Sequence, residues 1–447
     1  LRNSNIAGQI KIIFFYYIEY KKNAMEQFKP ESNLMEEILP KNFHFDKPLQ
    51  VAASADAYRL TLNPTSGVSF GSRGRVIFQL PSGSTGMYFS PDTTYLQYSL
   101  KSTVAAVIDA SGYAPIQEIS VYFGSTLVSS VKDVNLFAHM LMDHTCSASD
   151  RGTSLSTMGC ADAIATITAG GLTPRNGRAI AAGGTVDIAI PLIGIFGPGN
   201  CTKAVPLSLL RDDIRIELIL NPINAWTVAA THAEGSLTME QVKLQVEVIR
   251  LDSAVEQQLI ASVPKGVMSI PATDMLCYNT TVAPSSGSIS WQIPCRAKSV
   301  QAIYIIMSEV SSSSTSTAKQ SSQFSRAGLT SYSFRVGGLR VPSIPVSSAV
   351  EMRSELYKSL RVLNASNNPS SITQTQYENE AFAIGLNLDA FSHADGGILL
   401  DGKSLASSSG VLFEATISST NASLNVYAYV VCDSIIMVQD GLIEFTN

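Results

Sequence analysis

The sequence predicts an all-β protein built as two tandem eight-stranded jelly rolls with a few short helices. Three observations lead there: apolar residues alternate with period two from about residue 48 onward, helical stretches are few and short, and the connections are long and rich in Ser, Gly and Pro. Alternation with one apolar face marks antiparallel strands that bury that face against a second sheet.

The strands can be justified in chain order. In TYLQYSL, Leu96, Tyr98 and Leu100 share one face and Tyr95, Gln97 and Ser99 the other. DDIRIELIL sets Ile214, Ile216, Leu218 and Leu220 against Arg215 and Glu217, and QVKLQVEV sets Val242, Leu244, Val246 and Val248 against Lys243, Gln245 and Glu247. Later stretches repeat the pattern at Ile289/Trp291/Ile293, Val411/Phe413/Ala415/Ile417 and Leu424/Val426/Ala428/Val430.

Helical spacing occurs three times. Residues 131–144 place Val134, Phe137, Ala138 and Leu141 on one stripe. Residues 252–262 have Asp252 as cap and Val255, Leu259 and Ile260 as apolar face. Residues 348–363 carry Met352, Leu356, Leu360 and Leu363 at helical spacing. Loops are predicted at 82–86, 168–184 and 308–323, the last a low-complexity surface loop.

Length divides the chain. Its 447 residues exceed one ordinary core. The 252–262 helix follows a strong strand and precedes the Pro-punctuated VPKGVMSIPATDML, so a boundary is placed near residue 263. A jelly roll with its loops needs roughly 180–220 residues, and 46–262 and 263–447 each fit one. Residues 1–45 stand apart. Within them KIIFFYYIEYKK has a seven-residue apolar run, Ile12 to Ile18, too short to span a bilayer and without a small-x-small cleavage site after it. Met25 resembles an ordinary start, so residues 1–24 read either as upstream read-through or as an N-terminal arm that packs on a neighbour.

Composition narrows the function. Apolar residues make up 45% and charged residues 15%, against roughly 25% charged in an average domain. A surface poor in charge points to coverage by partner subunits. The net charge of -5 gives no general electrostatic case for nucleic-acid binding. Cys146, Cys160, Cys201, Cys277, Cys295 and Cys432 are scattered without a C-x-x-C pair, which reads as buried free thiols in a reducing compartment. Asn-x-Ser/Thr triplets at Asn200, Asn279, Asn364 and Asn421 carry no weight without a secretory route.

Three motifs invite chemistry and lack its context. GILLDGKS (397–404) matches the phosphate-loop pattern, with Gly402, Lys403 and Ser404 as its business end. A phosphate loop needs a parallel strand before it and a helix starting at the lysine, whereas LDAFSHADG precedes and SLASSSG follows. The stretch therefore reads as a loop and short strand, with a turn at Asp401-Gly402 and Lys403 as a solvated charge. GVSFG (67–71) matches a nucleophile elbow, but Ser69 leads into SRGRVIFQLP, which alternates as a strand. His139, His144, Cys146 and Cys160 suggest zinc, yet i,i+5 spacing puts the histidines on different helix faces. His44, His232 and His393 have no paired carboxylate nearby in sequence, and the aromatics are spread through strands rather than gathered as a base-stacking platform. No catalytic, cofactor-binding or metal residue is assigned, and the chain is not read as an enzyme.

Several stretches, in this order, resemble the double jelly-roll major capsid proteins of the adenovirus and tailless-phage lineage, most of all its Polinton-like virus, adintovirus and virophage branch. AVPLSLLRDDIRIELIL (204–220) resembles the first jelly roll's Pro-Leu turn and long strand, and MEQVKLQVEVIRLDSAVEQQL (239–259) its closing strand and following helix. SYSFRVGGLRVPSIPV (331–346) with SAVEMRSELYKSL resembles a strand, Gly-Pro loop and helix insertion of the second. ENEAFAIGLNLDAF (378–391) and VYAYVVCDSIIMVQDGLIEF (426–445) resemble its last strands, the latter closing on an Asp440-Gly441 hairpin. The resemblance spans roughly residues 45–447 and is weakest over 100–200.

It implies a structural role: three chains associate, each giving two upright jelly rolls, into a pseudo-hexameric capsomer that tiles an icosahedral shell. The implied partners are the chain itself as a homotrimer, neighbouring capsomers, and penton and minor cement proteins, with no sequence-specific nucleic acid and no small-molecule substrate. The implied location is the virion capsid, assembled inside a host cell. Two other readings compete. A jelly-roll virion spike or glycan-binding lectin would need exposed Trp or Tyr beside Asp or Asn on loops, and the chain has only Trp226 and Trp291. An NTPase would rest on Lys403.

Overall fold

The computed structural model describes residues 54–446 except 161–175, 202, 229–231, 264–265, 284–286, 311–321, 364–369, 371, 391–400, 407–409, 419–422 and 440. Before the 253–262 helix the strands are β1 (Ala55–Leu62), β2 (Ser69–Phe70), β3 (Arg75–Leu80), β4 (Met87–Ser102), β5 (Ala106–Asp109), β6 (Ile116–Phe123), β7 (Thr126–Lys132), β8 (Asn176–Ile180), β9 (Thr185–Pro191), β10 (Val205–Pro206), β11 (Ile214–Leu220) and β12 (Leu237–Leu251). After it come β13 (Met268–Val282), β14 (Ser288–Ile293), β15 (Val300–Val310), β16 (Leu329–Val336), β17 (Leu339–Val346), β18 (Ala383–Asn387), β19 (Val411–Ile417), β20 (Ser423–Gln439) and β21 (Leu442–Thr446).

The two sets of strands repeat one wiring. In the first, β1-β12-β4-β10 faces β3-β11-β6-β7, with β9 lying end to end with β10 along the free edge of β4. In the second, β13-β20-β15-β18 faces β14-β19-β16-β17. Counting the eight principal strands of each half in chain order, with β9 and β10 as one, both halves read 1-8-3-6 and 2-7-4-5. The chain thus wraps back and forth between two sheets, which is the jelly-roll path, twice over. No sheet mixes named strands from both sides of the 253–262 helix.

Packing follows the predicted alternation. Leu96, Tyr98 and Leu100 on β4, Ile214, Ile216, Leu218 and Leu220 on β11, and Val242, Leu244, Val246 and Val248 on β12 are all buried, as are Phe413 and Val411 on β19. On β11 the opposite face is not simply wet. Glu217 is buried because two guanidinium groups cover it, Arg75 at 2.6 Å and Arg215 at 3.1 Å. On β20 both faces are covered: Leu424, Val426, Ala428 and Val430 face one way, and Tyr429, also buried, faces the other.

The helices differ from expectation in informative ways. The first spans Val134–Thr145, because residues up to Lys132 continue β7. It is buried nearly all round, His139, Met140, Asp143 and His144 included, rather than on one stripe. The Ser253–Ser262 helix has the predicted Asp252 cap, whose carboxylate accepts from the Ala254 amide, but its apolar face is not covered: Leu259 and Ile260 are both exposed. The third spans Ala349–Ser359 and buries Met352 and Leu356. Arg361 sits at φ 59, a left-handed conformation that stops the helix, so Leu363 falls outside it and is exposed. Two short helices, Ala148–Gly152 and Gln374–Asn379, carry capping boxes at Ser147 and Thr373.

Two predicted loops contain strand. Asn176–Ile180 pairs with β5, and Ser308 to Val310 continue β15. The Gly337-Gly338 pair joins β16 to β17 with both residues at positive φ, a conformation glycine adopts without strain. The predicted hairpin at 440–441 is present as Gln439 opposite Leu442, with Asp440 itself outside the described residues.

Candidate functional site

The sequence motifs take up structural positions. Of GILLDGKS, residues 397–400 lie outside the described residues. Lys403 forms an antiparallel bridge with Val300, donating to and accepting from its backbone at 2.9 Å each way. The Gly402 amide donates to Ser299 Oγ at 3.0 Å, and Leu405 donates to the Ala297 carbonyl at 3.0 Å. Among the described residues no helix follows the lysine, and the next regular element is β19. A Cβ at Gly402 would stand 2.6 Å from the Val300 carbonyl, so the glycine serves a close backbone approach. Asp401 beside it is pushed up to about 6 by desolvation, by a hydrogen bond and charge from Asp389, and by the charge of Asp433. Asp389 in turn is ion-paired with Arg361.

Ser69 of GVSFG lies exposed in β2, followed by a turn and β3 rather than a helix. His139 Nε2 is 3.1 Å from Ser111 Oγ, and His144 Nε2 is 2.9 Å from the Ala381 carbonyl. Among the described residues no group of three or more His, Cys, Asp or Glu side chains is arranged to hold a metal ion. The six cysteines are unpaired with one another, and burial pushes the Cys160 and Cys201 thiols up to about 11.

What the fold does bring together is the joint between the halves, carried by the Val134–Thr145 helix. Phe137 packs its ring against Tyr304 of β15 at 6.1 Å and Tyr429 of β20 at 5.0 Å between centroids. The Tyr429 hydroxyl donates to the Asp133 carbonyl at 2.8 Å. At the other end His144 meets Tyr357 and Tyr377 edge-on, at 5.8 and 5.9 Å. Ser129 of β7 donates to Asp274 of β13 at 2.5 Å, and Ser322 donates through its amide and hydroxyl to Asp109 of β5. A cavity of about 340 Å³ remains in this joint, lined by Tyr113, Phe137, Leu192, Met275 and Tyr304 among others. Sequence reasoning missed the joint because its polar members are each isolated in sequence and meet only across the two halves.

Three surface features complete the picture. An apolar groove of about 650 Å³ runs beside the 253–262 helix, lined by Tyr88, Pro206, Ile249, Leu251, Leu259 and Met268. A shallow cleft of about 250 Å³ gathers Tyr58, Arg59, Thr93, Tyr95 and Glu247. On β17, Leu339 is 69% and Ile344 76% exposed. The Pro-framed aliphatic in a strand pattern was a readable signal for the last of these.

No protein-family profile matches the sequence, and no curated protein is similar to it. Solved structures are similar in fold. The PBCV-1 protein VP54, fitted into a cryo-EM reconstruction of the virophage Sputnik, is 12% identical, with a TM-score of 0.61 over 90% of this chain and 99% of that one. A quasi-atomic PBCV-1 virus capsid gives 11% identity and a TM-score of 0.60 over 90% and 99%. The Faustovirus major capsid protein is 9% identical, with a TM-score of 0.58 over 98% and 99%. These are double jelly-roll capsid proteins, and this chain has the same fold.

Proposed function

We propose that the chain is a viral major capsid protein: a homotrimer whose three pairs of jelly rolls form a pseudo-hexameric capsomer that tiles an icosahedral shell. One observation carries this reading. Two sandwiches of identical wiring are welded by a buried helix into one compact unit, and the likeness to capsid proteins extends over essentially the whole of their chains. The chain passes from one jelly roll to the other near residue 263 in this reading. The role is one of packing rather than catalysis, with neighbouring capsomers, penton and minor cement proteins as partners and the virion, assembled in a host cell, as location.

The physical chemistry agrees. A chain with 15% charged residues suits wide permanent contacts, and obligate interfaces commonly exceed roughly 2,000 Å². The glycan-binding alternative loses Trp226, which is fully buried with its indole donating to Asn221; it would have to rest on the cleft of Tyr58 and Tyr95. Light scattering of the purified chain tests the proposal: a trimer that forms hexagonal tiles or shells by electron microscopy is expected, and a persistent monomer under assembly conditions overturns it.

A further inference from the structure

Resting on the self-assembly just proposed, we infer that residues 342–345 of one copy seat in the apolar groove beside the 253–262 helix of the next copy. The two surfaces are different, lie on the same chain, and suit each other chemically.

The first surface is a knob. Along the β16-β17 ladder Phe334 faces Val341 while Tyr332 faces Val346, so two steps of β16 match five of β17. The four intervening residues, Pro342-Ser343-Ile344-Pro345, stand opposite the single Ser333 and bulge from the sheet edge with Ile344 at the exposed tip. Neither proline has an N–H, so this edge is poorly made for strand addition; what it offers is side chains. Both prolines also fix φ, which keeps the entropy lost on docking small. Residues 341–350 carry no charge, so burying the knob desolvates no unpaired ion.

The second surface is the groove, with Leu259 forming one wall at 39% exposure and Ile260 beside it. Among the described residues nothing covers Leu259 and Ile260 fully, and adjacent exposed aliphatics beside an apolar groove call for a partner. The one lysine at the groove, Lys203, already donates its ammonium to the Ser269 carbonyl at 3.1 Å.

Symmetry connects the two. An interface in a threefold ring is heterologous, so each chain must present two distinct, complementary surfaces. A convex apolar knob on the second half and a concave apolar groove at the end of the first half meet that requirement. A contact of knob with knob would instead be isologous and would close a dimer.

Cysteine cross-linking tests this. Ile344→Cys and Leu259→Cys chains are made separately and together, assembled, and oxidised with oxidised glutathione, with the wild-type chain as control for its own thiols. Chain-to-chain disulfides in the double variant, and in a mixture of the two single variants, are expected, with none in either single variant alone. Ile344→Asp, checked by circular dichroism for an intact fold, is expected to weaken association at least tenfold. A trimer that gives no cross-link, or an Ile344→Cys chain that cross-links to itself, overturns the inference and leaves the trimer standing. A wild-type monomer overturns both.

Discussion

His144 Nε2 lies 2.9 Å from the carbonyl oxygen of Ala381, 237 residues further along the chain. The histidine belongs to the helix of the first half and the carbonyl to the second, so the neutral imidazole's N–H donates across the joint. Burial is the main reason its pKa falls to about 4, the hydrogen bond opposes that, and the charges of Arg353 and Arg151 add to it. Between the ordinary value of 6.5 and about 4 the unfolded chain binds a proton that the folded chain does not. Stability is therefore complete above pH 6.5, falls as the pH drops through that window, and loses no more below it. The size is on the order of 3 kcal/mol at one proton over the window. Denaturation at pH 7.5 and 4.5 should show His144→Gln losing much less than wild type; equal losses would remove the histidine from the account.

Phe137 is the apolar centre of the same joint. Phe137→Ala is expected to cost about 3–5 kcal/mol, as buried Phe truncations do. The loss falls on the contacts with Tyr304 and Tyr429, so the cooperativity of the halves should suffer as well. Calorimetry is expected to show one transition in wild type and two, or a broadened one, in the variant. Retention of a single unshifted transition would mean that this helix does not couple the halves.

How much of this was legible in sequence depends on the range of the interactions. Strands such as β4, β11 and β12 announce themselves because Leu96, Ile216 and Val246 face a core made largely within their own half. The burial of His139, Asp143 and His144 did not, because the groups that satisfy or surround them lie on other elements: Ser111 before the helix, Arg151 in the next short helix, and Ala381 in the other half. The 253–262 helix misled in the opposite direction. Its apolar face at Leu259 and Ile260 was readable, but periodicity says only that a face wants burial, not that the same chain buries it. The wiring itself, 1-8-3-6 against 2-7-4-5, rests on pairings such as Ala55 with Leu251 that no local pattern encodes.

Asp401 should respond to pH with the opposite sign from His144. Its carboxyl is raised to about 6, by desolvation first and then by Asp389, so the folded chain holds a proton that the unfolded chain releases near 3.8. The contribution is present below 3.8 and is lost as the pH rises through about 6. Asp401→Asn removes this loss, and the variant is expected to gain on wild type between pH 5 and 7 while matching it at pH 3.5. Parallel stability curves for the two chains would show that the Asp401 carboxyl is not raised in the folded chain.

The pair Gly402 and Lys403 separates a structural motif from a phosphate-binding one. In a phosphate loop the lysine matters most, because it neutralises the anion, and its loss abolishes nucleotide binding. Here Lys403 is exposed and contributes its backbone to Val300, whereas Gly402 has no room for a side chain beside that same carbonyl. Lys403→Ala should therefore leave stability within about 0.5 kcal/mol, the ordinary range of a surface substitution. Gly402→Ala must move the backbone of Val300 or Gly402 apart and should cost more, about 1–3 kcal/mol, as strain in a packed site does. Thermal denaturation of both variants, with ATP and magnesium present and absent, decides between the readings. The structural one expects Gly402→Ala alone to lower the midpoint and nucleotide to change neither; a nucleotide shift in wild type that Lys403→Ala abolishes would reverse the assignment.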